Sequence, residues 1–156
     1  MADSALDHID REILKVLQAD ARIANVELAE KVGLSASPCA RRLTRLEASG
    51  VIARYATVIN QKAVGLPVSV FVNVTLERQV EGALDDFEKA VLKRPEVMEC
   101  YLMTGEADYL LRIVVADLDA YERFLIEHLT RLPGIANIRS SFALKQVVYR
   151  TELPLA

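Results

Sequence analysis

Two cysteines among 156 residues, five prolines, six glycines and no apolar run of membrane length already exclude several protein classes. Cys39 and Cys100 stand far apart, and neither lies in a C-x-x-C pair or a Cys/His cluster, so no zinc-ligand spacing is present. Spacing alone leaves a disulfide between them open; two reduced thiols in a cytoplasmic chain is the better reading. So little Gly and Pro, beside 52% hydrophobic and 26% charged residues, excludes collagen-like and disordered chains. The most apolar window, residues 64–74, is too short to cross a bilayer and contains Pro67, Ser69 and Asn73. The opening Met1-Ala2-Asp3-Ser4 shows no basic region leading into an apolar stretch, so no secretory peptide is expected and the location expected is the cytoplasm.

A basic surplus is also missing. Nineteen Lys and Arg face 22 Asp and Glu, a net charge of −3, which taken whole argues against a nucleic-acid binder. The average conceals its distribution, however. Residues 33–60 hold Arg41, Arg42, Arg45 and Arg54 against Glu47 alone, whereas 1–32 and 61–156 are each acidic.

What is present is a change of hydrophobic period near residue 60. Up to about residue 50 apolar residues recur at helical spacing; from about 68 strands and helices alternate. Gly65 and Pro67 suit the connector between them. This predicts a domain over 1–60, a linker over 61–67 and a second domain over 68–156.

Three helices are expected in the first domain. Asp7 caps the first, which buries Ile9, Ile13, Val16 and Leu17. Asn25 caps a short second helix stopped by Gly33, and Ser35 caps a third that tolerates Pro38 in its first turn. Two helices joined by such a turn form a helix-turn-helix. In the third, at about 100° per residue, Leu43 and Leu46 fall within about 40° of Cys39, an inward stripe. Arg41, Arg42 and Arg45 fall at about 200°, 300° and 240° and read as an outer guanidinium face. Such planar forks suit phosphate and the guanine edge, and Ser35 and Ser37 add donors at the helix start. Three solvated arginines on a helix would look the same. The β-branched stretch 51–59 reads as a wing or strand, with Arg54 either near a DNA phosphate or facing solvent.

The second domain reads β-α-β-β-α-β. Val68, Val70, Val72 and Val74 alternate along the first strand, and a helix over 80–93 buries Leu84, Phe87, Val91 and Leu92. Strands over 97–103 and 109–115, a helix over 118–132 and a last strand from 135 to about 148 follow. The fold class is therefore α+β, a helix-turn-helix domain joined to a ferredoxin-like domain with both helices on one sheet face. The uncovered face would expose residues such as Phe71 and Leu110, and a two-fold dimer is the economical cover.

The loop Thr104-Gly105-Glu106-Ala107-Asp108, flanked by Met103 and Leu110, has groups that a free amino acid needs. Glu106 or Asp108 would meet an ammonium, the Gly105 amide with Ser140 or Ser141 a carboxylate, and the apolar flanks a side chain. It is equally a plain polar turn. An enzyme has little support, because nothing links His8 or His128 to Cys39 or Cys100. A stand-alone amino-acid-binding or oligomerisation module is disfavoured by the arginine face, since dimer interfaces are poor in charge at their centre.

The stretch Leu6-Asp7-His8-Ile9-Asp10-Arg11-Glu12-Ile13-Leu14 resembles the opening of the Lrp/AsnC regulators. So do Arg22-Ile23-Ala24-Asn25-Val26-Glu27-Leu28-Ala29, Val32-Gly33-Leu34-Ser35, Pro38-Cys39, Arg42-Leu43, Arg45-Leu46-Glu47 and Gly50-Val51-Ile52. Thr104-Gly105-Glu106-Ala107-Asp108-Tyr109-Leu110-Leu111 is similar to that family's central loop, and the likeness runs in order along essentially the whole chain. It implies a sequence-specific regulator of transcription that binds palindromic double-stranded DNA and has no catalytic or metal site. It further implies dimers assembling into larger rings, commonly octamers. An amino-acid effector would bind at the 104–108 loop with help from Ser140, and would be apolar or branched-chain (Leu, Ile, Val or Met). A member of the family acting without any ligand is the alternative. Glu106 stands where the family often has Asp, and Ser140 where it often has Thr, so the pocket's shape differs here.

Overall fold

A computed structural model describes residues 6–78 and 80–155 and divides into two compact units. In the first, α1 (His8–Ala19), α2 (Asn25–Lys31) and α3 (Ala36–Ala48) surround a core of Ile13, Leu14, Leu17, Leu28, Ala29, Cys39 and Leu46. Asp7 starts α1 as expected. Its Oδ1 accepts the Asp10 amide at 2.8 Å, while Asp10 Oδ2 accepts the Asp7 amide at 3.3 Å, closing a reciprocal capping box.

Gly33 stops α2 at φ +70°, a left-handed conformation that turns the chain towards α3. Asn25, expected as the cap of α2, is instead its first helical residue, with Ala24 in the cap position. Its Nδ2 donates across the turn to the Ala36 carbonyl at 2.9 Å. Ser35 occupies the cap of α3, but its side chain makes no capping bond.

Residues 51–60 join no sheet, which corrects only the strand alternative expected there. A strand needs a partner ladder, and none runs beside them among the described residues. The unit boundary falls at Val58/Ile59. The chain's far end departs from expectation, because residues from Val147 onward belong to the first unit. Gln18 holds them by bonding both the amide and the carbonyl of Leu153 (2.6 and 3.2 Å), and Leu155 packs on the helical core.

The second unit is built from β1 (Val68–Leu76), α4 (Glu81–Val91), β2 (Val97–Leu102), β3 (Tyr109–Val115), α5 (Leu118–Phe124) and β4 (Ile135–Phe142). The strands form one antiparallel sheet in the order β2-β3-β1-β4. Val70, Val72, Val74, Leu111 and Ile113 meet Phe87 and Val91 of α4 and Tyr121 and Phe124 of α5 in its core. Leu92, expected inward, is 84% exposed because α4 has ended before it. The last helix passes into a single π turn, Leu125–Leu129, that places Leu129 in the core. β4 ends at Phe142 rather than near 148, since its ladder with β1 reaches only Val70 opposite Phe142.

On the sheet face away from the helices, Phe71 stands between Arg112 of β3 and Ser141 of β4. One step along, Asn73 stands between Leu110 and Arg139. Glu99 accepts from Arg112 Nε at 2.7 Å and from the Tyr101 hydroxyl at 3.0 Å. Burial raises the Glu99 pKa, but the bonds from Arg112 and Tyr101 outweigh it and leave the carboxyl below its ordinary value.

Candidate functional site

The amphipathic pattern of α3 gives it two sides, and the structure divides its arginines between them. Ser35, Ser37 and Arg41 are exposed at the helix start, where Arg41 Nη1 donates to Ser37 Oγ at 3.1 Å. Arg42 does not face outward with them. Its Nη1 lies 2.6 Å from Asp7 Oδ2 and 2.8 Å from Asp10 Oδ1, and its side chain is only 26% exposed.

Arg45 is intermediate: Nη2 reaches Asp10 Oδ2 at 2.5 Å while 49% of the side chain stays exposed. Arg54 is exposed in the segment that follows α3. The wheel explains the division, because Arg42 lies nearest the apolar stripe of the three and so turns towards α1. The Asp10 backbone amide and then the Arg42 guanidinium hold the Asp7 carboxyl below its ordinary value, and Asp7 and Asp10 raise Arg42 in return. Asp10, buried in this cluster, escaped the sequence reading, in which Asp7 appears only as a cap. Two carboxylates three apart at a helix start were the available signal.

In the second unit a groove of about 280 Å³ opens beside the central loop. Met103, Thr104, Glu106 and Ala107 form one side; Asn73 and Thr75 of β1 with Asn137 and Arg139 of β4 form the other. Arg139 Nη1 stands 3.9 Å from Glu106 Oε2, both side chains largely exposed. A cation, a carboxylate, two amides and a thioether flank therefore surround one small open space. Gly105 takes φ +124° at the loop tip, with nothing within 4 Å of where a Cβ would stand.

Three of the expected loop residues, Met103, Thr104 and Glu106, line this groove. Asp108 does not. It is buried, its Oδ2 accepts the Leu76 amide at 2.7 Å, and its own amide donates to the Val74 carbonyl at 2.9 Å. Its carbonyl accepts from the Met103 amide at 2.8 Å, so this residue pins the loop to the sheet. Ser140 turns to the helix side, where its hydroxyl bonds that of Tyr121. Ser141 and Leu110 lie on the open sheet face and do not line the groove.

Sequence reasoning missed Asn73, Thr75, Asn137 and Arg139. Their signal was the polar alternate of each strand, which period-two reading assigns to one face. No group of three His, Cys, Asp or Glu fit to hold a metal occurs among the described residues. Nor is any helix among them long and apolar enough to cross a membrane.

Residues 6–53 match the family model of a winged helix-turn-helix DNA-binding domain, and residues 69–153 match that of the Lrp/AsnC ligand binding domain. The chain is 47% identical over 150 residues to the Bkd operon transcriptional regulator of Pseudomonas aeruginosa, covering 96% of this chain and 98% of that protein. It is 44% identical over 142 residues to the leucine-responsive regulatory protein of Escherichia coli K12, covering 91% and 87%. Among solved structures it resembles a Neisseria meningitidis transcriptional regulator in complex with L-Met, at 42% identity and TM-score 0.92 over 96% of this chain and 97% of that one. It also resembles an AsnC family regulator of Agrobacterium tumefaciens, at 42% identity and TM-score 0.91 over the same shares. With a DNA-binding domain ahead of an amino-acid-binding one and no enzyme among these relatives, the chain belongs to the Lrp/AsnC family of transcriptional regulators.

Proposed function

We propose that this regulator reads palindromic operators through α3 as a homodimer and changes its assembly or its DNA binding when an apolar amino acid occupies the groove. The Glu106 and Arg139 pair carries the effector reading. An α-ammonium and an α-carboxylate are the two charges that a carboxylate and a guanidinium 3.9 Å apart would exchange for each other. Met103, Asn73 and Asn137 would then receive the side chain and the remaining polar atoms. The leucine-responsive relatives and the L-Met complex support Leu or Met as the effector, with Ile and Val proposed beside them as side chains of similar size and polarity. On the DNA side Ser35, Ser37, Arg41, Arg45 and Arg54 are the proposed contacts, with Arg42 serving the fold. The two-fold pairing would cover the open sheet face, and dimers would build a larger ring such as an octamer. Its place of action would be the cytoplasm, with the DNA.

Calorimetric titration with each of the twenty amino acids tests the effector. Heat of binding is expected for one or more of Leu, Ile, Val and Met, and it should vanish in Glu106→Ala. Silence from all twenty would leave a DNA-binding member that acts without ligand. Selection of duplexes from a random library tests the other half: recovered sites should be palindromic, and affinity should fall steeply with salt.

A further inference from the structure

Arg45 is anchored and open at once. Nη2 is held by Asp10 at 2.5 Å, yet half of the side chain reaches solvent beyond the helix. A guanidinium carries five N–H donors in a rigid fork, so one bond to Asp10 leaves the remaining donors for a base edge or phosphate. Asp10 is itself buried and held from several sides. Its Oδ1 accepts from Arg42 Nη1 at 2.8 Å, its Oδ2 accepts the Asp7 amide at 3.3 Å, and its side chain is 2% exposed. Arg42 completes the arrangement by bridging Asp10 to Asp7, which keeps two carboxylates near the reading face from standing unneutralised.

We infer that Asp10 is a positioning residue for DNA recognition: it acts through Arg45, fixing the direction of the guanidinium before DNA arrives, while Arg42 is an internal strut. A free arginine loses rotamer freedom on binding; one already held loses less, and its fork meets only a base placed to match. The inference rests on α3 being the DNA-reading helix.

A double-mutant cycle tests it. The probes are a duplex selected from a random library by the unaltered protein and a scrambled duplex of equal composition. Arg45→Ala is expected to reduce the ratio of selected to scrambled affinity by about tenfold or more. Asp10→Asn is expected to lower the same ratio, and the double variant Asp10→Asn/Arg45→Ala to be no worse than Arg45→Ala alone. A purely structural Asp10 would lower affinity for both duplexes and do so equally with or without Arg45; that additivity would overturn the inference. Should Asp10→Asn not fold, Arg45→Lys supplies the test from the exposed side. It keeps the charge and so the salt slope, but lacks the fork; an unchanged ratio in Arg45→Lys would overturn the inference too. Failure of the unaltered protein to prefer any duplex would instead remove the assignment of α3 as reading helix.

Discussion

Asp108 and Asp7 show how far one residue's chemistry is legible before its neighbours are known. A carboxylate in a Gly-containing loop reads as a ligand group, and Glu106 does line the groove, but Asp108 turns inward to the Leu76 amide. Nothing in the local sequence separates the two, because the difference is whether a strand amide lies within reach. Asp108→Ala is expected to destabilise the protein by about 1–3 kcal/mol through an unsatisfied buried amide, measured by urea unfolding. Asp7 gives a pH prediction. Its folded pKa is depressed below 3.8, so its contribution is present above that pH and is lost as pH falls through the folded value. In Asp7→Asn, which still caps α1 but does not titrate, acid unfolding followed by circular dichroism should be less steep in that range. An acid limb identical to the original would show that the depressed Asp7 pKa, set by the Asp10 amide and then by Arg42, adds nothing.

Elements were easier to foresee than their ends. The strand β3 and the helix α3 follow from unbroken periodicity, whereas β4 stops early and α5 becomes a π turn for reasons of pairing and core filling that lie elsewhere in the chain. Gly33 is the clearest case of a residue set by its element. It ends α2 at φ +70°, and a Cβ there would meet no atom within 4 Å. Gly33→Ala should therefore cost about 1 kcal/mol from backbone conformation alone, with no steric addition. Thermal unfolding would show a modest loss, with Gly33→Asn between the two; a much larger loss would mean that the turn is packed more tightly than its geometry indicates. The three arginines of α3 carry a similar lesson. A wheel places each side chain around the axis, but only the approach of α1 turned Arg42 into a partly buried, ion-paired group.

For the molecule as a whole, the open sheet face and the returning tail are the features with consequences. Phe71, 37% exposed, lies amid Arg112, Ser141 and their neighbours on a face that the helices leave bare. If the proposed dimer covers it, Phe71→Glu should convert the dimer to a monomer in analytical ultracentrifugation and weaken binding to a palindromic duplex by more than tenfold. An unchanged sedimentation coefficient would place the dimer interface elsewhere. Residues from Val147 onward, assigned by sequence to the second domain, join the first through Gln18 and Leu155. Ending the chain before Val147 should lower the unfolding temperature of the helical unit by a few degrees, read by calorimetry.

The order of helices and strands, the division near residue 60 and the family likeness all follow from local periodicity and motif, because each depends on residues close together in the chain. The groove does not. One side comes from Met103, Thr104, Glu106 and Ala107 and the other from alternate positions of β1 and β4, which the sheet register alone brings side by side. Charge is similar: the basic excess of residues 33–60 is plain in the sequence, but its partial neutralisation by Asp7 and Asp10 required α1 and α3 to pack. Local pattern determines what each segment becomes; distance in the folded chain determines which charges are left to act.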